Sequence, residues 1–117
     1  MEELRGLDNW APFTHLCLDN LPDYGGVSAV YALRSKTTGE ILYIGSTRNL
    51  RKTVFGSYMA GVGGVTSQRL HELLFSDGKV SDVEFAWVEA FTYQQKEDRI
   101  REEYRRQHGH PPRWGIA

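Results

Sequence analysis

Two strand-forming runs, separated by five residues of turn chemistry, leave the middle of this chain few ways to fold. Val27 to Arg34 carries Val30, Tyr31 and Leu33, and Glu40 to Gly45 carries Ile41, Leu42, Tyr43 and Ile44. Branched and aromatic residues of this kind suit a pleated, half-buried surface. Ser35-Lys36-Thr37-Thr38-Gly39 lies between them, so the two runs predict a hairpin. Pairing Arg34 with Glu40 sets Tyr31 directly opposite Tyr43, and cross-strand neighbours share one side of a sheet. The pair reads equally well as an aromatic contact that stabilises the hairpin or as two phenols held at a site.

The second run does not stop cleanly. It ends on Gly45 and continues as Ser46-Thr47-Arg48-Asn49-Leu50-Arg51-Lys52. A strand that ends in glycine and hands over to a helix start is a common place to bind an anion. The glycine lets backbone come close to a ligand, and the first N–H groups of the helix point outward. Gly45, Ser46, Arg48, Asn49, Arg51 and Lys52 are therefore candidates for nucleic-acid phosphate contact. The plainer reading is a β-to-α turn with a solvated basic face.

Further elements follow in order. A short helix is expected from Asn49 to Tyr58, cut by Gly56, then a connection at Gly61-Val62-Gly63-Gly64. A second helix carries Leu70, Leu73 and Leu74 on one face, with Thr66 or Ser67 as its cap, and ends at Ser76-Asp77-Gly78. Val83 to Phe91 alternates like a third strand, with Trp87 expected in the core. Thr92 to Gln107 gives the longest helical pattern, with Tyr93, Glu97, Ile100 and Tyr104 along one face. Glu97 is a carboxylate on a face that should look inward. Asp98, Arg101, Glu102, Arg105 and Arg106 lie opposite and read mostly as a solvated face. His108-Gly109-His110-Pro111-Pro112 stops the helix, and Arg113-Trp114 reads as a tail packed back onto the sheet.

Composition narrows the class. At 117 residues the chain suits one domain. Cys17 is the one cysteine, which excludes an internal disulfide and a multi-cysteine zinc site. No apolar run nears membrane-span length and no basic-then-apolar leader opens the sequence, so a cytoplasmic protein with no membrane partner is expected. The net charge of −1 is unevenly placed: residues 1–25 carry Glu2, Glu3, Asp8, Asp19 and Asp23 against Arg5, and the rest is mildly basic. Residues 1–25 read as a flanking arm with one or two short helical turns, and 26–117 as the domain. His71-Glu72 has no metal-ligating partner at the right spacing. His108 and His110 suit a solvated helix end near the negative pole of the helix dipole.

A hairpin with a tyrosine on each strand, followed by Tyr43-Ile44-Gly45, a Ser-Thr pair and Asn49-Leu50, resembles the GIY-YIG nuclease family. Ala29-Val30-Tyr31 stands where the family has its first motif, with alanine in place of the leading glycine. The likeness spans roughly residues 26–115. It implies an α+β fold, with a small three-stranded antiparallel sheet flanked by helices. It also implies a metal-dependent endonuclease that hydrolyses phosphodiester bonds in DNA with one divalent ion, Mg²⁺ or Mn²⁺. By that resemblance Glu97 is the metal ligand, a hard oxygen donor that suits such an ion. Tyr31 and Tyr43 are the hairpin tyrosines that activate or position water, and Tyr58 takes the place of a further His or Tyr near the scissile phosphate. The family's phosphate-clamping arginine should fall at position 53, where this chain has Thr53. Losing a charged donor from such a site typically costs on the order of 100- to 1000-fold in rate. Weakened cleavage, or a catalytically impaired module kept for binding nucleic acid, are both open on that ground. Branched or damaged DNA falls within the expected substrate class, and with no added recognition module a homo-oligomer or partner protein is expected to supply specificity.

Overall fold

The computed structural model describes residues 7, 9–15, 28–54, 65–75, 79–112 and 114. They form an α+β fold around an antiparallel sheet. The strands are β1 (Ala11–Pro12), β2 (Ala29–Ser35), β3 (Ile41–Thr47) and β4 (Val83–Glu89), in the spatial order β1-β4-β2-β3. The helices are α1 (Val65–Phe75) and α2 (Tyr93–His108). A helical turn also opens at Leu50 and runs through Val54. The sheet therefore has four strands where three were expected. The fourth comes from the leading arm, where Ala11 and Pro12 pair with Phe85 and Glu84. Proline is tolerated there because β1 is an edge strand with no inner ladder to break. One short helical turn does follow, at Phe13–His15. Leu7 and Phe13 of the arm are buried in the core.

The hairpin forms, but its register differs from the one expected. Tyr31 pairs with Gly45, and Leu33 pairs with Tyr43. Two one-residue offsets produce this. The turn closes with the Ser35 N–H donating to the Glu40 carbonyl at 2.8 Å, and the ladder then shifts again between Leu33 and Arg34. A single slip would turn every β3 side chain to the other face, whereas two restore it. Tyr31 and Tyr43 thus stay on one side as diagonal neighbours. The turn is set from a distance by Asp82, whose carboxylate accepts from Ser35 Oγ (2.7 Å), Thr37 Oγ1 (2.6 Å) and Thr37 N (3.0 Å). Hydrogen bonds from Thr37 and Ser35 hold the Asp82 carboxyl below the usual carboxylate range. Gly39 takes a left-handed φ of 75° at the turn, where a side chain would be strained.

Both faces of the sheet are covered, so the central strand β2 is buried along nearly its whole length. One face carries Tyr31, Leu33, Tyr43 and Phe85, packed with Phe13, Leu50, Val54, Leu70, Leu74 and Trp114. The other carries Val30, Ala32, Ile44 and Ala86, packed under Leu7 and under Ile100 and Tyr104 of α2. The expected helical face of α2 is the one that meets the sheet, with Tyr93 packed at its margin. Gly109 ends α2 in a left-handed conformation (φ 76°), its N–H donating to the Arg105 carbonyl. Helix α1 starts at Val65, so Thr66 and Ser67 lie inside it rather than capping it. Trp87 is only half-buried, and its backbone N–H donates to Asn9 Oδ1 at 3.0 Å. Strand β4 ends at Glu89, and Phe91 stands almost fully exposed in the turn before α2.

The strand order leaves β3 as an edge. Its outward carbonyls find donors from elsewhere: the Trp114 N–H reaches the Leu42 carbonyl at 2.7 Å, and Arg101 of α2 reaches that of Ile44. Covered edges of this kind resist pairing with another chain. No described helix is long and apolar enough to cross a membrane. Ile100, fully buried between α2 and the sheet, tests this packing: Ile100→Ala is expected to lower unfolding stability by about 2–5 kcal/mol, read from the denaturant midpoint.

Candidate active site

The site is built on the last residues of β3. Gly45 is buried and its φ is not positive, so backbone freedom is not what the position requires. The requirement is steric. A Cβ at Gly45 would lie 2.6 Å from Tyr31 Oη, 2.7 Å from Tyr31 Cζ and 2.8 Å from Tyr43 Cε2. The phenol of Tyr31 lies across the glycine, filling the place of a side chain. On its Cβ side, the group that approaches Gly45 is Tyr31. Tyr31 also stacks on Phe85 at 5.6 Å, and its ring centre is 6.3 Å from that of Tyr43.

Ser46, the next residue, points to the opposite face and meets α2. Its hydroxyl and its backbone N–H face Glu97 closely enough to favour the charged carboxylate. The Glu97 side chain is 18% exposed. Burial pushes its carboxyl above the usual range, while Arg101 and Ser46 pull it down. A carboxylate in this state carries charge that the protein only partly compensates. Since β3 is an edge strand, the phenols on one face and the carboxylate on the other meet around it. Tyr43 registers the field of Glu97: burial raises its pKa, Arg101 lowers it, and the Glu97 charge raises it.

Arg101 completes this group, although the sequence placed it on the solvated face of α2. Its Nε and Nη2 donate to the Ile44 carbonyl at 3.1 and 2.7 Å. The guanidinium lies 5.6 Å from the Tyr43 ring centre, and Nε is 3.9 Å from Glu97 Oε2. The overlooked signal was its spacing of four residues from Glu97, which puts the two on adjoining turns of one helix.

The basic turn is ordered by local capping. Asn49 Oδ1 accepts from the Lys52 N–H at 3.0 Å, and Thr47 Oγ1 accepts from the Asn49 N–H at 3.1 Å. Arg48 and Lys52 are exposed, and Arg51 is half-buried. Thr53 shares a 2.6 Å hydrogen bond with the hydroxyl of Thr47. Tyr31, Tyr43, Gly45, Ser46 and Glu97 are thus brought together, with Arg48, Asn49, Arg51 and Lys52 on the adjoining turn. Tyr58, Cys17 and the 61–64 glycine run lie outside the described residues. His108 stacks on Tyr104 at 4.2 Å, at the other end of α2 from Glu97.

Among the described residues there is no group of three or more His, Cys, Asp or Glu able to hold a metal. A metal here would have Glu97 as a carboxylate ligand, with other positions open to water and phosphate oxygens. Small hard cations such as Mg²⁺ accept that arrangement. The raised pKa of Glu97 fits it, because a cation would supply the missing compensation.

The sequence matches the model of the GIY-YIG catalytic domain over residues 27–111. Comparisons with curated proteins and with solved structures return no match.

Gly45→Ala is expected to cost about 1–3 kcal/mol of stability through overpacking, measured by chemical denaturation. Glu97 gives a pH signature. Its folded pKa is raised, so its cost to folding is absent below the unfolded pKa and grows as pH rises through the folded value. Glu97→Gln is therefore expected to melt above the parent at about pH 7–8 in chelator, the gap closing toward about pH 4. A lower melting point for the variant at neutral pH would contradict the burial of this charge.

Proposed function

The chain belongs to the GIY-YIG catalytic-domain family, and from that premise we propose that it is an endonuclease that hydrolyses phosphodiester bonds in DNA with one divalent ion. The observation that supports this most is the meeting of Glu97 with Tyr43 around Gly45-Ser46 at the β3 edge, with Tyr31 packed beside Tyr43 across Gly45. Glu97 would hold Mg²⁺ or Mn²⁺, which supplies positive charge against a phosphate oxygen when bound.

The rest of the mechanism follows from the chain's own groups. Tyr43, its pKa raised, keeps its proton at neutral pH. It acts as a hydrogen-bond donor that positions the phosphate or the attacking water, and not as the base. Tyr31, packed across Gly45, fixes the second phenol. Ser46, through its hydroxyl and backbone N–H, favours the ionised form of the Glu97 carboxyl. Arg48 and Lys52, exposed on the following turn, contact the DNA backbone. Such contacts position the substrate and carry little sequence information, so specificity rests on DNA shape, a partner protein or a second copy of the chain.

A second reading has its own observation. Thr53 is neutral, and its hydroxyl is engaged by Thr47. A family member so altered can be a binding module that no longer cuts. Incubation of the chain with supercoiled and branched DNA in Mg²⁺ or Mn²⁺ separates the two. The nuclease reading expects nicking by the parent chain and none by Glu97→Gln, with DNA binding retained. Binding without cutting by the parent rejects it. In that case Thr53→Arg is the discriminating variant: a gain of cleavage identifies a relative that kept the scaffold and lost the charge.

A further inference from the structure

Phosphodiester cleavage builds negative charge on a phosphate, and charge of that kind is stabilised most by cations already fixed where it develops. The exposed cations of the basic turn are carried on long side chains in water. Arg101 differs from them. It leaves α2, rounds the β3 edge, and ends between Glu97 and Tyr43 with its side chain 33% exposed. Two of its N–H groups are spent on the Ile44 carbonyl, and that bifurcated grip fixes the plane of the guanidinium. Its guanidinium also lies 5.6 Å from the Tyr43 ring centre, where its charge favours the ionised phenol. An arginine has five N–H donors in a rigid fork, so donors remain for an anion. A phosphate that reaches both Glu97 and Tyr43 must pass against this group.

We propose that Arg101 is a catalytic residue of this site, binding the scissile phosphate between Glu97 and Tyr43 while the Ile44 carbonyl holds its guanidinium in place. The inference rests on the nuclease reading above. It gives the site a fixed positive charge that does not depend on position 53. The competing role is purely structural, with Arg101 as a cap on an edge carbonyl of β3.

The test compares Arg101→Gln and Arg101→Lys with the parent, and with Arg105→Gln as control. Arg105 is exposed on the same helix and pairs with Glu102, three residues away, at 2.6 Å. Binding of a short duplex is measured in Ca²⁺ across a range of salt, and single-turnover cleavage in Mg²⁺ at saturating DNA. A phosphate contact predicts that Arg101→Gln lowers the slope of log affinity against log salt by about 1. Arg101→Lys keeps the parent slope, and Arg101→Gln cuts roughly 100-fold more slowly. A structural cap predicts lowered melting for both variants, an unchanged slope and cleavage within about threefold of the parent below the melting range.

A second measurement needs no variant. In the parent chain, bound DNA is expected to protect Arg101 from phenylglyoxal, read by mass spectrometry. Equal modification with and without saturating DNA overturns the proposal even if Arg101→Gln does not fold. If the parent neither binds nor cuts DNA, the nuclease reading falls and this inference with it. If the parent cuts and Arg101→Gln cuts alike, this inference alone fails.

Discussion

Among the described residues β3 is an edge strand, and that edge is the constraint on which the rest of this site depends. An edge strand exposes carbonyls that the ladder cannot satisfy, and proteins cover such edges or risk pairing with a second chain. Here the cover comes from two donors of different kinds. Trp114 offers a backbone N–H to Leu42, and Arg101 offers a guanidinium to Ile44. The second solution places a charge at the edge as well as a donor. It also leaves that edge thin enough for residues from both sheet faces to share one environment. Had β3 been central, Tyr43 and Glu97 would be separated by a neighbouring strand.

The glycine of the Tyr43-Ile44-Gly45 motif follows from the same economy of space. Its lack of a side chain admits the Tyr31 ring, with less than 3 Å between a virtual Cβ and the phenol. That contact ties the second motif to the first: Gly45 needs no side chain because Tyr31, directly opposite in the ladder, covers it. Ser46 then projects to the other face and receives Glu97. One dipeptide therefore carries a phenol above and a carboxylate below. Burial sets the charge states that result, raising the pKa of both Tyr43 and Glu97.

Much of this was legible in the sequence, and what was missed has physical causes. The strands β2, β3 and β4 and the helix α2 follow from alternation and from the 3.6-residue period, and Glu97 stood out as the charged member of an apolar face. The shared side of Tyr31 and Tyr43 was correct although the register was not. The pairing depends on Asp82, about 45 residues away in sequence, and on a bulge at Leu33-Arg34, neither of which has a local signature. β1 is two residues long and contains Pro12, too short to show alternation. Arg101 was read as solvent-facing because helical periodicity describes a cylinder. It does not describe a long side chain that can curl around a strand edge.

On the proposed nuclease function, Glu97, the two phenols and the DNA phosphate share a single centre at the β3 edge. The most direct measurement is a crystal structure of the chain with a non-cleavable phosphorothioate duplex and Mn²⁺, the metal located by its anomalous scattering. The expected result is Mn²⁺ directly coordinated by Glu97, with a phosphate oxygen as a further ligand and Tyr43 within hydrogen-bond reach of that phosphate. Mn²⁺ and the phosphate found together away from Glu97, for example at the His108 end of α2, would contradict it.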